Sequence, residues 1–295
     1  MKFSRLLLAI ILSVAASAAV AAYVASKHAG GAASASESAY ARVIRTGTLR
    51  CGYGVFAPYF TKDLKTGKYG GVIHDVVEAV GNHLGLKIVW AEEVGLGDIA
   101  TALKTGKIDA YCGGVWSIGK RVRVIDYTDP VFYEPIFVYV RSDDHRFDKN
   151  FAALDSSTAR VAMIDGEGSS LIAAAEFPKA RPVSLPQLST YADMFNLVVM
   201  NKADFLLTAP LGEHTFAKNN PGQLRPLDKP VRIFPMDGFV ISYGEPALRD
   251  ILNQAQKNIR NNGIIDKILD RYDPGHTLFW RVAKPYIRPQ DPQGK

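Results

Sequence analysis

The side chains able to do chemistry in this 295-residue chain fall in four short stretches. GGVWSIGKR (113–121) holds Gly114, Trp116, Ser117 and Arg121. A guanidinium offers planar donors that match both oxygens of a carboxylate. An indole offers a flat apolar wall and one donor, and a glycine lets backbone groups approach a ligand closely. GEGSS (166–170) puts Glu167, Gly168 and Ser169 at the head of an apolar stretch. Backbone donors at such a helix start suit an anion or a ligand hydroxyl. Tyr53 and Phe56 stand in the turn GYGVFAPYF (52–60), and Thr208 follows ADFLL (203–207). Plainer readings stand beside these. Arg121 can lie on the surface as its neighbour Arg123 would, Trp116 can pack in a core, Ser169 can cap a helix, and Glu167 can point to water.

Other chemistries find little support. The six histidines are dispersed and the two cysteines lie far apart, so no metal-ligand cluster is visible. There is no G-x-S-x-G elbow and no phosphate loop. We therefore expect no catalytic residue, no metal and no cofactor. Cys51 and Cys112 are either a disulfide, as an oxidising compartment would favour, or two buried thiols.

Alternating strands and helices must position these stretches. TLRCGY (48–53), KIVW (87–90), IDAYC (108–112) and FVYVR (137–141) read as strands. Between them, apolar residues at 73, 76, 77, 80 and 84 have the spacing of a helix with one buried face, and a shorter helical piece surrounds Ile99 and Leu103. A second unit opens near Phe151 with strands RVAMI (160–164) and ADFLL, and helices after GEGSS and after Thr190, where Asp193 completes a capping arrangement. GFVIS (238–242) is a strand, and apolar positions 248, 251, 252, 255 and 259 mark a last helix that breaks near Gly263 and resumes at Ile264. This alternation predicts an α/β architecture with mainly parallel sheets.

Composition adds location. Lys2 and Arg5 precede an uncharged apolar run, Leu6 to Ser26, with Ala16-Ser17-Ala18 as a cleavage site. The run is also long enough to serve as an anchor, since about 20 apolar residues span a bilayer. The folded part is expected outside the cytoplasm in either case. Setting aside Lys2, Arg5 and Lys27 leaves 32 basic against 29 acidic residues. No basic run or stripe appears, which argues against nucleic acid as a partner.

Four motifs in order resemble the family 3 (amino-acid-type) periplasmic solute-binding proteins of ABC importers. They are GTLRCGYGVFAPYF (47–60), GGVIHDVVEAVGNHLGL (70–86) with Asp75, IATALKTGKIDAYCGGVWSIGKRVRVIDYTDPVFYE (99–134), and ALRDILNQAQKNIRNNGIIDKILDRY (247–272). The resemblance implies a two-lobed periplasmic-binding-protein fold (type II), each lobe a mainly parallel sheet flanked by helices, with two hinge crossovers near 130–141 and 232–244. It implies lobe one at 41–135 plus 238–272 and lobe two at 140–232; composition gives an export or anchor segment at 1–27 and a flexible linker at 28–40, and an extension at 273–295, past the family's usual end, is expected to pack along lobe one and fray. The resemblance also implies a monomer that passes its ligand to a membrane permease, the cleft closing by hinge motion.

By that resemblance Arg121 forks onto the ligand's carboxylate, Phe56 is a wall, and Trp116 replaces a small hydroxyl residue. The acids that hold an amino acid's ammonium are missing at both usual points, Tyr53 and Ala209. The expected ligand is therefore a carboxylate-bearing molecule, an amino-acid derivative or organic acid, not a standard α-amino acid bound in the standard way. Two other readings exist. One is an exported dehydratase-like enzyme on the same scaffold, for which Glu167 or Asp165 would be the acid, although the enzyme relatives carry theirs where this chain has Ser170. The other is an anchored or sensory binding module.

Overall fold

The computed structural model describes residues 37–117 and 119–283, with residues 17, 19 and 20. Apart from those three, the expected export or anchor segment lies outside the described residues, as do residues 28–36 of the linker and 284–295 of the extension. No described helix is long and apolar enough to cross a membrane.

Each amphipathic stretch of the sequence becomes an element. The first part of the chain runs α1 (Ala39–Thr46), β1 (Thr48–Tyr53), β2 (Thr61–Lys62), β3 (Tyr69–Gly70), α2 (Val72–Leu84), β4 (Lys87–Glu93), α3 (Ile99–Lys104), β5 (Ala110–Tyr111) and β6 (Val115–Trp116). A 3-10 turn, Gly119–Arg123, then leads into β7 (Ile125–Tyr127) and the long β8 (Pro130–Arg141). Next come β9 (Arg160–Ile164), α4 (Gly168–Glu176), β10 (Arg181–Leu185), α5 (Tyr191–Val199), β11 (Phe205–Thr208), α6 (Pro210–Ala217) and β12 (Leu224–Pro226). The chain returns through β13 (Arg232–Asp237), β14 (Val240–Ser242), α7 (Pro246–Asn261), α8 (Ile264–Tyr272) and β15 (Trp280–Arg281).

Two sheets result. The first has the order β4-β1-β5-β14-β7 and the second β10-β9-β11-β8-β13-β6, with β12 and β15 also on β8. β1 is parallel to β4 and β5, and β9 is parallel to β10 and β11, each pair joined through a helical connection. The remaining pairings are antiparallel, so the sheets are mixed where mainly parallel ones were expected. The cause is the double crossover: a chain that leaves on β8 and returns on β13 must run against itself.

Helix α2 buries Val72, Ile73, Val76, Val77 and Val80, the face its spacing predicted, and ends on left-handed Gly85. Leu248, Leu252, Ala255 and Ile259 do the same for α7, and Gly263 in the left-handed region separates it from α8. Strands β10 and β13 and helix α6 carried no clear period. Pro182 sits in β10 at a sheet edge, where a strand tolerates proline, and Pro235 lies within β13, opposite Tyr133 of β8.

Each sheet is tied down by one buried aspartate that follows a lysine by two residues. Asp109 accepts from the Arg50 backbone N–H at 2.9 Å and from the Arg50 and Arg42 guanidinium groups. Asp204 does the same for the Arg160 backbone at 2.8 Å, with the Arg160 and Arg146 side chains. The extension is held as well. Asp273 accepts from the N–H groups of Thr277 and Leu278, Phe279 stacks on Phe132 at 4.5 Å, and β15 pairs with β8 at Tyr133 and Phe132. It therefore packs on the crossover strand.

Cys51 of β1 and Cys112, one residue past the neighbouring β5, are bonded, with their Cα atoms 5.5 Å apart. The bridge closes a loop of 61 residues, which in the chain-entropy account stabilises the fold by about 4 kcal/mol. Replacing both cysteines by serine should lower the unfolding free energy by about 2–4 kcal/mol in urea titrations; an unchanged midpoint would show that the bridge adds nothing.

Candidate functional site

Four loop ends meet between the two sheets. The turn after β1 brings Phe56 and Tyr59, and the loop after β5 brings Gly114, Trp116 and Arg121. Opposite them, the starts of α4 and α5 bring Glu167, Gly168 and Tyr191. Together they line a narrow cleft whose cavity measures about 30 Å³.

The anion-seeking end is Arg121, which donates across the cleft to the carbonyl of Gly166. That carbonyl is neutral, and the nearby acid is Glu167, whose ionisation Arg121 favours. The buried hydroxyl of Tyr111 has no hydrogen-bond partner among the described residues, and Arg121 opposes the rise that burial imposes on its ionisation. A side chain at Gly113 or Gly54 would come within 2.8 Å of that hydroxyl. Gly114 adopts φ +77°, and a side chain there would meet Ile73 at 2.8 Å. Only glycine lets this loop run along the cleft.

The opposite end is acidic. Glu134, in the middle of β8, is fully buried. It accepts from the Tyr59 hydroxyl at 2.7 Å and from Trp116 Nε1 at 2.7 Å. Burial raises its carboxyl to about 7 against the lowering effect of those two bonds, and the charge of Glu167 adds to the rise. Glu167 caps α4, accepting from the Ser169 backbone N–H at 2.7 Å and from the Ser169 hydroxyl. Burial raises it too, while Ser169 and Arg121 pull the other way. Tyr191 packs on Phe56 with ring centres 5.4 Å apart, and burial with both carboxylates holds its hydroxyl protonated. A second bridge crosses the cleft nearby: Gln187 accepts from the Gly97 N–H at 3.0 Å and donates to Asp98 at 3.0 Å.

Six of the residues singled out in the sequence therefore converge: Phe56, Gly114, Trp116, Arg121, Glu167 and Gly168. Four are placed elsewhere. Ser169 lies behind the wall with its hydroxyl on Glu167. Tyr53 stacks on Phe60 at 4.9 Å and bonds to Tyr69 at 3.0 Å, inside an aromatic cluster with Trp90. Thr208 is buried at the end of β11, and Ser117 is half-buried just past β6. Sequence reasoning missed Tyr59, Tyr191 and Glu134. One signal for Glu134 was available: a lone acid inside the apolar run PVFYEPIFVYV is a site candidate, because burying it is costly.

Residues 49–274 match the model of the bacterial extracellular solute-binding proteins, family 3. No curated protein sequence matches the chain. Among solved structures, the ancestral amino acid-binding protein AncCDT-1, a precursor of cyclohexadienyl dehydratase, is 27% identical with a TM-score of 0.70, covering 80% of this chain and 99% of its own. An amino acid ABC transporter substrate-binding protein from Streptococcus pneumoniae, bound to L-arginine, is 20% identical with a TM-score of 0.67, over 83% of this chain and 100% of its own. A histidine kinase sensor domain similar to periplasmic binding proteins is 19% identical with a TM-score of 0.67, over 80% and 98%. The last two show a shared fold.

The buried acids make stability depend on pH. Glu134 rises from 4.5 to about 7 and Asp237 from 3.8 to about 8, both mainly through burial, and Glu167 also rises. The folded chain thus holds protons that the unfolded chain releases, and stability falls as pH increases through that window. Asp204, held at about 2 by Arg160 and Arg146 against its burial, acts in the opposite sense, and its contribution is lost as pH falls below 3.8. The melting temperature should be highest in between and fall by several degrees from about pH 5 to pH 8.5. A flat or rising profile over that range, measured by calorimetry, would contradict these protonation states.

Proposed function

This chain belongs to the bacterial extracellular solute-binding proteins of family 3, and we propose that it captures a small carboxylate-bearing molecule, an amino-acid derivative or organic acid, and delivers it to an ABC importer. Arg121 carries this reading, since its guanidinium enters the cleft with a neutral carbonyl as partner. A carboxylate arriving there takes up both arms of the fork, and the Tyr111 hydroxyl beside it gains a partner. Phe56, Trp116 and Tyr191 give the ligand's body flat walls. Glu167 accepts a hydrogen bond from its far end. The ammonium-binding acids are absent at their usual points, Tyr53 and Ala209, which favours a ligand other than a standard α-amino acid bound in the standard way. The receptor works in the periplasm, freed by signal cleavage or tethered by its apolar N-terminus, as a monomer.

The likeness to a precursor of cyclohexadienyl dehydratase supports an enzymatic alternative, which turnover of a cyclohexadienyl carboxylate by the purified protein would favour. Thermal melts against amino acids, mono- and dicarboxylates and opines test the receptor reading. A ligand at about 100 times its Kd adds about 2.7 kcal/mol, so the right compound moves the melt visibly. The shift should come from a carboxylate and vanish in Arg121→Ala. A shift of equal size in that variant would remove Arg121 from the site.

A further inference from the structure

Glu134 lies behind the cleft wall, yet it holds two parts of that wall at once. Tyr59 comes from the turn after β1 and Trp116 from β6, and each donates to a different oxygen of the same carboxyl at 2.7 Å. The strand that carries it is fixed on both sides. Glu134 pairs with Phe234 of β13, and one residue earlier Tyr133 pairs with Trp280 of the extension. Tyr59 and Trp116 line the cleft, so whatever Glu134 does reaches a ligand through them.

The two donors differ in chemistry. An indole N–H can only donate, whereas a phenol hydroxyl donates or accepts. While Glu134 is ionised it accepts from both, and Tyr59 spends its proton on Glu134. Once Glu134 is protonated, Trp116 must still donate to one oxygen. The carboxylic O–H then belongs on the other oxygen, where it donates to Tyr59. That turns Tyr59 into an acceptor toward Glu134 and frees its own hydroxyl proton for the cleft.

We propose that Glu134 is the positioning residue of the cleft, pinning Tyr59 and Trp116 from behind, and that its proton decides whether Tyr59 shows a ligand an O–H or lone pairs. Other titratable groups facing it are Glu167 at the start of α4 and Tyr191 at the start of α5. Phe234, opposite it on β13, does not titrate. Burial places the carboxyl's midpoint at about 7. The consequence for ligand choice rests on the receptor reading above: protonated Glu134 suits a ligand acceptor at Tyr59, and ionised Glu134 suits a donor.

The test needs no ligand, so its failure leaves the receptor reading standing. The chain has three tryptophans, and Trp116→Phe identifies the Trp116 indole N–H among them in a 15N-labelled sample of the protein. That resonance should titrate with a midpoint near 7 between about pH 5 and pH 9. Glu134→Gln should keep the resonance and abolish its titration, because the amide oxygen still accepts from Trp116 and the NH2 group donates to Tyr59. Tyr59→Phe, which removes a bond favouring the ionised form, should raise the midpoint by about one pH unit, and it serves as the second readout if Glu134→Gln does not fold. A resonance that is flat with pH in the wild type, a titration that survives Glu134→Gln, or an unmoved midpoint in Tyr59→Phe overturns the proposal.

Discussion

Where β8 and β13 run antiparallel, from Ile136 opposite Arg232 to Phe132 opposite Met236, the chain crosses twice between its two sheets. The cleft is built from this ladder outward. β6 pairs with β13 at Met236 and so carries Trp116 to the site, β15 holds the far side of β8, and Glu134 projects from its centre. A hinge needs strands that bend without losing register. Here the pairing continues through Pro135 and Pro235, which lie one residue from the Glu134 pairing on either strand. Backbone pairing joins the two sheets while loops on both sides line the cleft.

The charges of the site follow from the same geometry. Arg121 sits on a loop free to cross the cleft, and its guanidinium has a carbonyl partner. Glu134 and Glu167 sit on rigid elements, fully buried and each holding two hydrogen bonds. Two buried acids, one of which raises the other, are costly to ionise together. That cost is tolerable where bonds from Tyr59, Trp116 and Ser169 replace lost solvation, and it makes the acidic end sensitive to pH. The structural aspartates behave differently. Asp109 and Asp204 are paired with two arginines each, and those partners, together with backbone N–H groups, hold both below the usual carboxylate range despite burial. Buried carboxyls in one protein thus serve as anchors where arginines surround them and as tunable groups where aromatic donors do.

The fold was largely legible in the sequence because helix faces repeat locally. The valines of α2 and the leucines of α7 announce their burial through spacing alone. Several elements that were missed, β10, α6 and β13 among them, depend on neighbours for their conformation. Pro182 and Pro235 break the strand pattern, and these strands form because an edge or a partner strand accepts them.

Residue type and local order by themselves determined the α/β alternation, the loop that carries Gly114, Trp116 and Arg121, and the helix start at Glu167 and Gly168. These depend on neighbours within a turn or two, which periodicity and motif record. Tertiary structure alone decided which groups complete the site. Tyr53 and Phe56 stand three residues apart, yet one side chain enters an aromatic cluster and the other the cleft. Tyr59, Trp116 and Glu134 span 75 residues of chain and meet at one carboxyl. Cys51 and Cys112, open to either reading as a sequence, are joined because parallel β1 and β5 bring them side by side. Distances of that kind are set by strand pairing across the chain, and no local pattern carries them.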